Sequence, residues 1–283
     1  MKVIFVCTGN TCRSPMAEGY LKSKLIGGLT VYSRGFCIDG IPVSENSVNA
    51  CKEYGIDISS HRSKPLVRAD LDADTFICMS QGHKNALLDI NIPEDKITVL
   101  GGGIPDPYDG DIKIYLDCRD SIFKEIDLLI DSGFFTGFKI EEINRKHIPS
   151  IAKLEKECFT QGWSQNAIAE SFAAGTRFFV AEKNSKVIGY IGISAVCDEG
   201  YITNVAVFPK YRNMGVATLL IDRCFRLARE KSLKFVSLEV RPSNTNALRL
   251  YEKLSFVCEG KRKDFYQMPK EDAYIMTRRF TSL

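Results

Sequence analysis

The sequence predicts an α/β protein of two domains, a doubly wound parallel sheet followed by a mixed-sheet α+β domain. Its 283 residues are more than a domain with a single hydrophobic core usually contains. In the first half, short apolar runs rich in Val and Ile alternate with helical patterns, which is typical of parallel sheets. In the second half, the apolar runs 177–182 and 186–193 flank Asn184-Ser185, the pattern of an antiparallel hairpin.

The first half is expected to form a domain at 1–133. Its predicted strands lie at 3–6, 29–35, 75–79 and 97–100. Its predicted helices lie at about 17–25, 42–54, 68–70, 80–89 and 112–130. Because ligands of doubly wound sheets bind at the carboxyl ends of the strands, the loop after the first strand is the expected site.

The second half follows a short hinge at 131–137 and is expected to form a domain at 134–283. Its predicted strands lie at 138–143, 177–182, 186–193, 201–207 and 235–244. Its predicted helices lie at 144–159, 163–172, 218–231 and 246–254.

Composition and charge limit the functional classes. Residues 1–135 carry 14 Lys and Arg against 19 Asp and Glu, net −5, and the remainder carries 24 against 16, net +8. A basic half suits a phosphate-rich ligand, but its charges are too evenly spread for a nucleic-acid patch. No apolar run is long enough to span a membrane, and no leader is expected because Lys2 is followed directly by the first strand. The ten Cys form no C-x-x-C pair and the three His no ligand cluster, so we expect free thiols, a cytoplasmic location and no metal.

The loop after the first strand indicates phosphate transfer. Its sequence is Cys7-Thr8-Gly9-Asn10-Thr11-Cys12-Arg13-Ser14. A strand, a tight loop and a helix together bring backbone N–H groups around an anion. Held among amides and a guanidinium, the Cys7 thiol is expected to be a thiolate, the nucleophilic form. The planar fork of Arg13 can hold two phosphate oxygens, and Ser14 can donate a hydrogen bond to the sulfur.

The loop at 101–110, rich in Gly and Pro, supplies the acid that this chemistry needs. Asp106 would protonate the leaving group and then act as base for the water that hydrolyses the cysteinyl phosphate. Tyr108, two residues later, is either a wall of the pocket or a packing residue.

The string CTGNTCRSP and the Asp-Pro-Tyr loop resemble those of the low-molecular-weight protein tyrosine phosphatases, over about residues 1–133. The resemblance implies Cys7 as nucleophile, Arg13 as phosphate clamp, Asp106 as acid and the amides of 8–13 as the phosphate cradle. It also implies a reversible Cys7–Cys12 disulfide that protects the thiolate from peroxide. A buried spectator thiol is the alternative for Cys12.

Thr11 stands where tyrosine-directed members of that family carry a bulky aliphatic residue. Here the sequence is similar to the branch that removes phosphate from protein arginine. The hydroxyl makes the pocket smaller and more polar, which favours phosphoarginine over phosphotyrosine. Arsenate reductases share the fold but need closely spaced further cysteines; Cys78 is followed by none before Cys118, so this remains a minor alternative.

The segment 212–217 indicates a second anion site. Its Arg-x-x-Gly-x-Ala spacing, between a strand and a helix, places free amides at a helix N-terminus. With the preceding string NVAVFPKYR, it resembles the GNAT acetyltransferases over about residues 137–281. The resemblance implies acetyl-CoA as cofactor, held by Arg212, Asn213, Met214, Gly215, Val216 and Ala217, with Val205, Ala206 and Val207 along its pantetheine arm.

Four parts of the second half resemble the alanine N-acetyltransferases of ribosomal proteins. They are the strings around Glu239 and Tyr251, Trp163-Ser164 and residues 262–266. The resemblance implies that Glu239 takes a proton from the substrate amine, Tyr251 protonates the departing thiolate and Asn244 contacts the cofactor. The sequence therefore predicts a bifunctional enzyme that acts on a phosphorylated protein and on a protein N-terminus, such as that of a ribosomal protein. The alternative is a phosphotyrosine phosphatase regulated by a non-catalytic acetyl-CoA-binding module.

Overall fold

The structure, a computed structural model, describes residues 1–36 and 39–280. It divides into two compact units, Met1–Ile130 and a second that begins at Asp131. Within the described residues, the first unit has a sheet of four parallel strands and the second a mixed sheet of seven. The predicted fold class, a doubly wound parallel sheet followed by a mixed-sheet α+β domain, is confirmed.

The first unit is built around the parallel sheet, in the order β2-β1-β3-β4. Its strands are β1 (Lys2–Val6), β2 (Thr30–Arg34), β3 (Thr75–Cys78) and β4 (Ile97–Val99). Its helices are α1 (Arg13–Ser23), α2 (Glu45–Lys52), α3 (Gln81–Asp89) and α4 (Ile112–Ser132). Apart from Lys2 at its start, β1 is completely buried, because both faces of a central parallel strand are covered.

Three predicted helices of this unit differ from the structure. The helix expected at 42–54 begins only at Glu45, because Pro42 instead forms an isolated β-bridge with Arg62. The residues at 68–70 form a single 3-10 turn. The first helix starts at Arg13 rather than Ala17, so the phosphate loop is shorter than expected and leads directly into the helix.

The second unit contains a seven-stranded sheet in the order β10-β11-β9-β8-β7-β6-β5. Its strands are β5 (Lys139–Glu142), β6 (Arg177–Lys183), β7 (Lys186–Val196), β8 (Glu199–Val207), β9 (Phe235–Val240), β10 (Val257–Gln267) and β11 (Lys270–Arg279). Its helices are α5 (Ile148–Cys158), α6 (Gln165–Ala173), α7 (Val216–Glu230) and α8 (Thr245–Lys253). The hairpin β6–β7 predicted around Asn184 is present.

The two parallel strands β8 and β9 separate after a short paired segment. They pair only from Glu199 to Tyr201, opposite Phe235 to Ser237. Beyond Tyr201, the β9-facing side of β8 is left without a ladder. The pairing of β8 with β7 also shifts by one residue, since Gly192 lies opposite Asn204 and Ile193 opposite Ile202. The separation opens the middle of the sheet.

No helix in the described part of the chain combines the length and apolar character needed to cross a membrane.

Candidate active sites

The loop between β1 and α1 lines a cleft of about 270 Å³ in the first unit. Cys7 directly follows β1 and Arg13 begins α1, so the cleft lies at the carboxyl end of the central strand. Asp106 and Tyr108 reach it from the loop between β4 and α4. The lining residues are Cys7, Thr8, Gly9, Thr11, Cys12, Arg13, Asp106 and Tyr108.

A chain of hydrogen bonds places a donor beside the Cys7 sulfur. Asn10 Nδ2 donates to the hydroxyl oxygens of Ser14 and Ser33, at 2.9 Å each. Because Ser14 Oγ accepts from Asn10, its own hydrogen is free to point at Cys7 Sγ, 3.0 Å away. Cys7 and Ser14 are both buried, so this contact is shielded from water. A donor in this position stabilises the thiolate form of a cysteine.

The side chain of Asn10 also holds the shape of the loop. Asn10 has a φ of 52°, and its Oδ1 accepts the backbone N–H of Lys64 at 2.9 Å. Its carbonyl oxygen lies 3.0 Å from His61 Nε2. The loop packs against Gly35, where a Cβ atom would lie 2.7 Å from the carbonyl oxygen of Thr8. The sequence predicts only a backbone role for Asn10 and does not reveal this clamp, because the partners of the side chain are distant in the chain.

The guanidinium of Arg13 is nearly buried, and protein groups use only part of its five N–H donors. Its Nη1 donates to the carbonyl of Ile104 at 3.1 Å, and its Nη2 pairs with the carboxylate of Asp106. No described residue accepts the hydrogen of its buried Nε. A buried donor without a partner is unfavourable, so this edge of Arg13 is suited to an anion in the cleft.

Cys12 lies in the same cleft as a free thiol. Its sulfur lies 3.3 Å from Tyr115 Oη and 3.6 Å from Thr11 Oγ1. Burial, followed by the hydrogen bond with Cys12, raises the pKa of Tyr115 to about 12. Tyr115 is therefore a neutral hydrogen-bonding group beside Cys12 at physiological pH.

In the second unit, the segment 212–217 leads from β8 into α7. Gly215 precedes α7 with a φ of 79°, a left-handed conformation that favours glycine. No described side chain caps α7, so its first N–H groups are available to an anion. Arg212 Nε donates to the carbonyl of Val207 at 3.2 Å and ties the segment to the end of β8. Within the segment, Arg212, Asn213 and Met214 are exposed, Gly215 and Ala217 are half-buried, and Val216 is buried.

Three further predicted contacts, Val205, Ala206 and Val207, lie on the part of β8 that no longer pairs with β9. Asn244 caps α8, since its Oδ1 accepts the backbone N–H of Ala247 at 3.2 Å. The structure thus gives Asn244 a local structural role, and its Nδ2 remains available for a ligand.

The predicted base and acid of the second unit lie on β9 and α8. One carboxylate oxygen of Glu239 lies 3.1 Å from Arg262 Nη1. Burial, with Tyr266 as the second cause, raises the pKa of Tyr251, which therefore keeps its proton. The pKa of Tyr266 is itself raised, mainly by burial. The positive charge of Arg241 lowers this pKa, and the negative charge of Glu239 raises it. Glu239, Tyr251 and Tyr266 therefore share one electrostatic environment. Arg262 and Tyr266 belong to the string 262–266, and the sequence predicts no individual role for them.

Three possible metal ligands, Glu141, His147 and Glu182, also lie close together in the second unit, with ligand atoms within 4.8 Å of one another. His147 Nδ1 accepts the backbone N–H of Asn144 at 3.1 Å, so this hydrogen-bond network assigns the proton of the neutral ring to Nε2. Nε2 faces Glu141 at 3.3 Å and Glu182 at 3.7 Å. A protonated nitrogen has no lone pair for a metal, and this buried Nε2 makes no hydrogen bond to a described residue, so the ring in this tautomer is not a metal ligand.

Comparison with known proteins assigns both halves of the chain. Residues 2–146 match the family model described as low molecular weight phosphotyrosine protein phosphatase, and residues 148–256 match that of the acetyltransferase (GNAT) family. The chain belongs to both families. A protein-arginine-phosphatase of Geobacillus stearothermophilus is 36% identical over 141 residues, which cover 46% of this chain and 94% of that protein.

Two further relatives of these families are similar to this chain. The low molecular weight protein-tyrosine-phosphatase PtpB of Staphylococcus epidermidis is 34% identical over 134 residues, which cover 45% of this chain and 95% of PtpB. A putative [ribosomal protein bS18]-alanine N-acetyltransferase of Bacillus subtilis is 32% identical over 143 residues, which cover 50% of this chain and 95% of that protein. The resemblances to the low-molecular-weight phosphatases and to the GNAT acetyltransferases are confirmed, and the chain is an enzyme with a phosphatase domain and an N-acetyltransferase domain.

Proposed function

We propose that the phosphatase domain hydrolyses phosphoarginine in proteins through a cysteinyl-phosphate intermediate, and that the GNAT domain acetylates the N-terminal alanine of a protein. The phosphatase proposal rests on one observation above all. The Cys7 sulfur, the Ser14 hydroxyl beside it and the free Nε of Arg13 belong to one loop that lines one cleft.

In the first step, the Cys7 thiolate attacks phosphorus and forms the P–S bond while the bond to the leaving nitrogen breaks. Arg13 and the loop amides hold the phosphoryl oxygens, and Asp106 gives its proton to the leaving group. The pairing of Asp106 with Arg13 Nη2 gives way as phosphate oxygens take over that donor. In the second step, Asp106 takes a proton from water, the water oxygen bonds to phosphorus and the P–S bond breaks. Ser14 then stabilises the departing thiolate.

The preference for phosphoarginine is supported by Thr11, which lines the cleft. It is also supported by the name of the Geobacillus relative. A β-branched hydroxyl leaves a more polar wall than an isoleucine, which would pack against a phenyl ring.

The test compares phosphoarginine and phosphotyrosine peptides as substrates of the wild type and of Thr11→Ile. We expect the wild type to prefer phosphoarginine and the variant to shift its kcat/KM ratio toward phosphotyrosine by about tenfold, the size of one well-placed apolar contact. Thr30→Ile, an exposed change on β2 outside the cleft, serves as control. An unchanged ratio in Thr11→Ile would show that this residue does not select the substrate.

The acetyltransferase proposal rests on the opening between β8 and β9 and on the uncapped N-terminus of α7 at its end. These features fit acetyl-CoA, with its diphosphate at the amides of 215–217 and its arm along Val205–Val207 of β8. Acetyl-CoA supplies an acetyl group activated as a thioester. Glu239 accepts a proton from the substrate amine through water, and Tyr251, whose raised pKa keeps its hydroxyl protonated, protonates the leaving sulfur.

The test of this proposal is acetyl transfer to a peptide with an N-terminal alanine. Glu239→Gln should lower kcat by about 100-fold, the lower end of what a general base contributes, while acetyl-CoA still binds. Glu259→Gln on β10 of the same sheet, which removes only an ion pair with Arg279, is the matched control. Acetyl-CoA binding by the wild type without transfer to any peptide would instead favour a regulatory binding module.

A further inference from the structure

A hydrogen bond between His83 and Thr8 reaches the cleft of the phosphatase domain and has no part in the mechanism above. His83 of α3 is 7% exposed, and its Nε2 lies 2.9 Å from Thr8 Oγ1. Its Nδ1 lies 2.9 Å from the hydroxyl of Ser80, the residue that caps α3. Thr8 is an exposed member of the phosphate loop and lines the cleft. A hydrogen-bonded chain of three side chains therefore runs from the start of α3 to the cleft.

We assign the direction of these hydrogen bonds from the donors and acceptors available. Ser80 Oγ accepts the backbone N–H of His83 at 3.3 Å, so its own hydrogen is free for His83 Nδ1. A neutral imidazole that accepts at Nδ1 carries its proton on Nε2 and donates it to Thr8 Oγ1. The ring is neutral at physiological pH because burial, and then the charge of Arg13, lower its pKa. Thr8 Oγ1 is thus an acceptor for His83, and its own hydrogen remains for another partner.

We propose that Ser80 and His83 position the Thr8 hydroxyl as an additional donor to the phosphoryl group in the cleft. This inference rests on the proposed phosphatase function and adds a side-chain donor to the loop amides. His83 touches no reacting atom and is a positioning residue. An oriented donor needs no reorganisation as the phosphoryl group is transferred, so it acts on the transition state.

The test is a double-mutant cycle on the full chain with p-nitrophenyl phosphate. Thr8→Val and His83→Leu should each lower kcat/KM by about fivefold to tenfold, as expected for the loss of one hydrogen bond. The double variant should lose about as much as either single variant, because both changes break the same contact. Inhibition by orthovanadate, a tetrahedral oxyanion, should be weaker in both single variants than in the wild type. The proposal would be overturned if the losses in kcat/KM of the two single variants multiplied in the double variant, or if Thr8→Val kept the kcat/KM of the wild type.

A merely structural role of His83 predicts different results. His83→Gln keeps an N–H donor near Thr8 and should recover most of the activity, whereas a packing role would not distinguish Gln from Leu at equal thermal stability. Gln81→Ala, on the exposed face of the same helix, should leave kinetics unchanged. If the wild type hydrolyses the substrate in a Cys7-dependent manner but the cycle shows no coupling, only the positioning chain is wrong. If the wild type shows no such hydrolysis, the phosphatase function and this inference are both wrong.

Discussion

Replacing Arg13 with lysine tests the electrostatic design of the phosphatase cleft, because it keeps the charge but removes the planar fork. The guanidinium uses Nη1 for Ile104, Nη2 for Asp106 and leaves Nε free. A lysine ammonium cannot hold two oxygens of one phosphate in a plane. Losing two charge-assisted hydrogen bonds, at about 1.5–3 kcal/mol each, amounts to about 3–6 kcal/mol. The expected loss in kcat/KM is therefore roughly 10²- to 10⁴-fold.

The assay is steady-state hydrolysis of p-nitrophenyl phosphate by wild type and Arg13→Lys, with thermal unfolding measured in parallel. Arg119→Lys is the matched control, since Arg119 is equally buried but contacts Ala50 and Glu53 outside the cleft. That variant should lose stability and keep kcat/KM per folded molecule. Activity of Arg13→Lys within about threefold of wild type would refute the reasoning, because even one lost charge-assisted bond should cost more.

Two further predictions concern the GNAT domain. Glu155 is fully buried and accepts hydrogen bonds from the backbone N–H of Trp163 and from the side chains of Tyr190 and Asn204. Burial raises the pKa of Glu155 above the usual 4.5. The native state therefore binds this proton more tightly than the unfolded state, so the stability of the domain should fall as pH rises above about 4.5 toward the raised value. Glu155→Gln should flatten this dependence in urea unfolding followed by the fluorescence of Trp163, the single tryptophan of the chain; an unchanged slope would contradict it. Tyr251→Phe should lower acetyl transfer by about 100-fold with little change in stability, because it removes the proton and retains the ring. Transfer rates near wild type would mean that another group protonates the leaving sulfur.

The sequence predicted the elements that have a strong local signal. The strand–loop–helix around Cys7 and the strand–loop–helix around Gly215 are both present, because apolar runs, small residues and a helical pattern follow one another directly. The hairpin of β10 and β11 was missed. Nearly every residue of β10 is exposed, so the strand has no apolar alternation to reveal it. It is held instead by pairing with β11, which in turn pairs with β9.

The phosphatase cleft, like the fold, is predicted from the sequence only where the signal is local. The residues of the phosphate loop are consecutive, so their types and spacing indicate an anion cradle before any coordinates are known. The contacts of Asn10 with Ser33 and Lys64, and of Thr8 with His83, join residues far apart in the sequence. A single hydrophilic histidine on a helix carries no signal of such a contact. These positioning interactions become visible only when the fold brings the loop after β1 next to β2, the segment around Lys64 and the start of α3.

In the proposed mechanism, the Cys7 sulfur carries the phosphoryl group during turnover. The most direct measurement is rapid acid quenching of the full chain with excess substrate, followed by mass spectrometry of the peptide that contains Cys7. We expect a near-stoichiometric phosphate on Cys7 that forms before steady-state release of inorganic phosphate. Steady turnover with phosphate on another residue, or turnover that persists in Cys7→Ser, would contradict it.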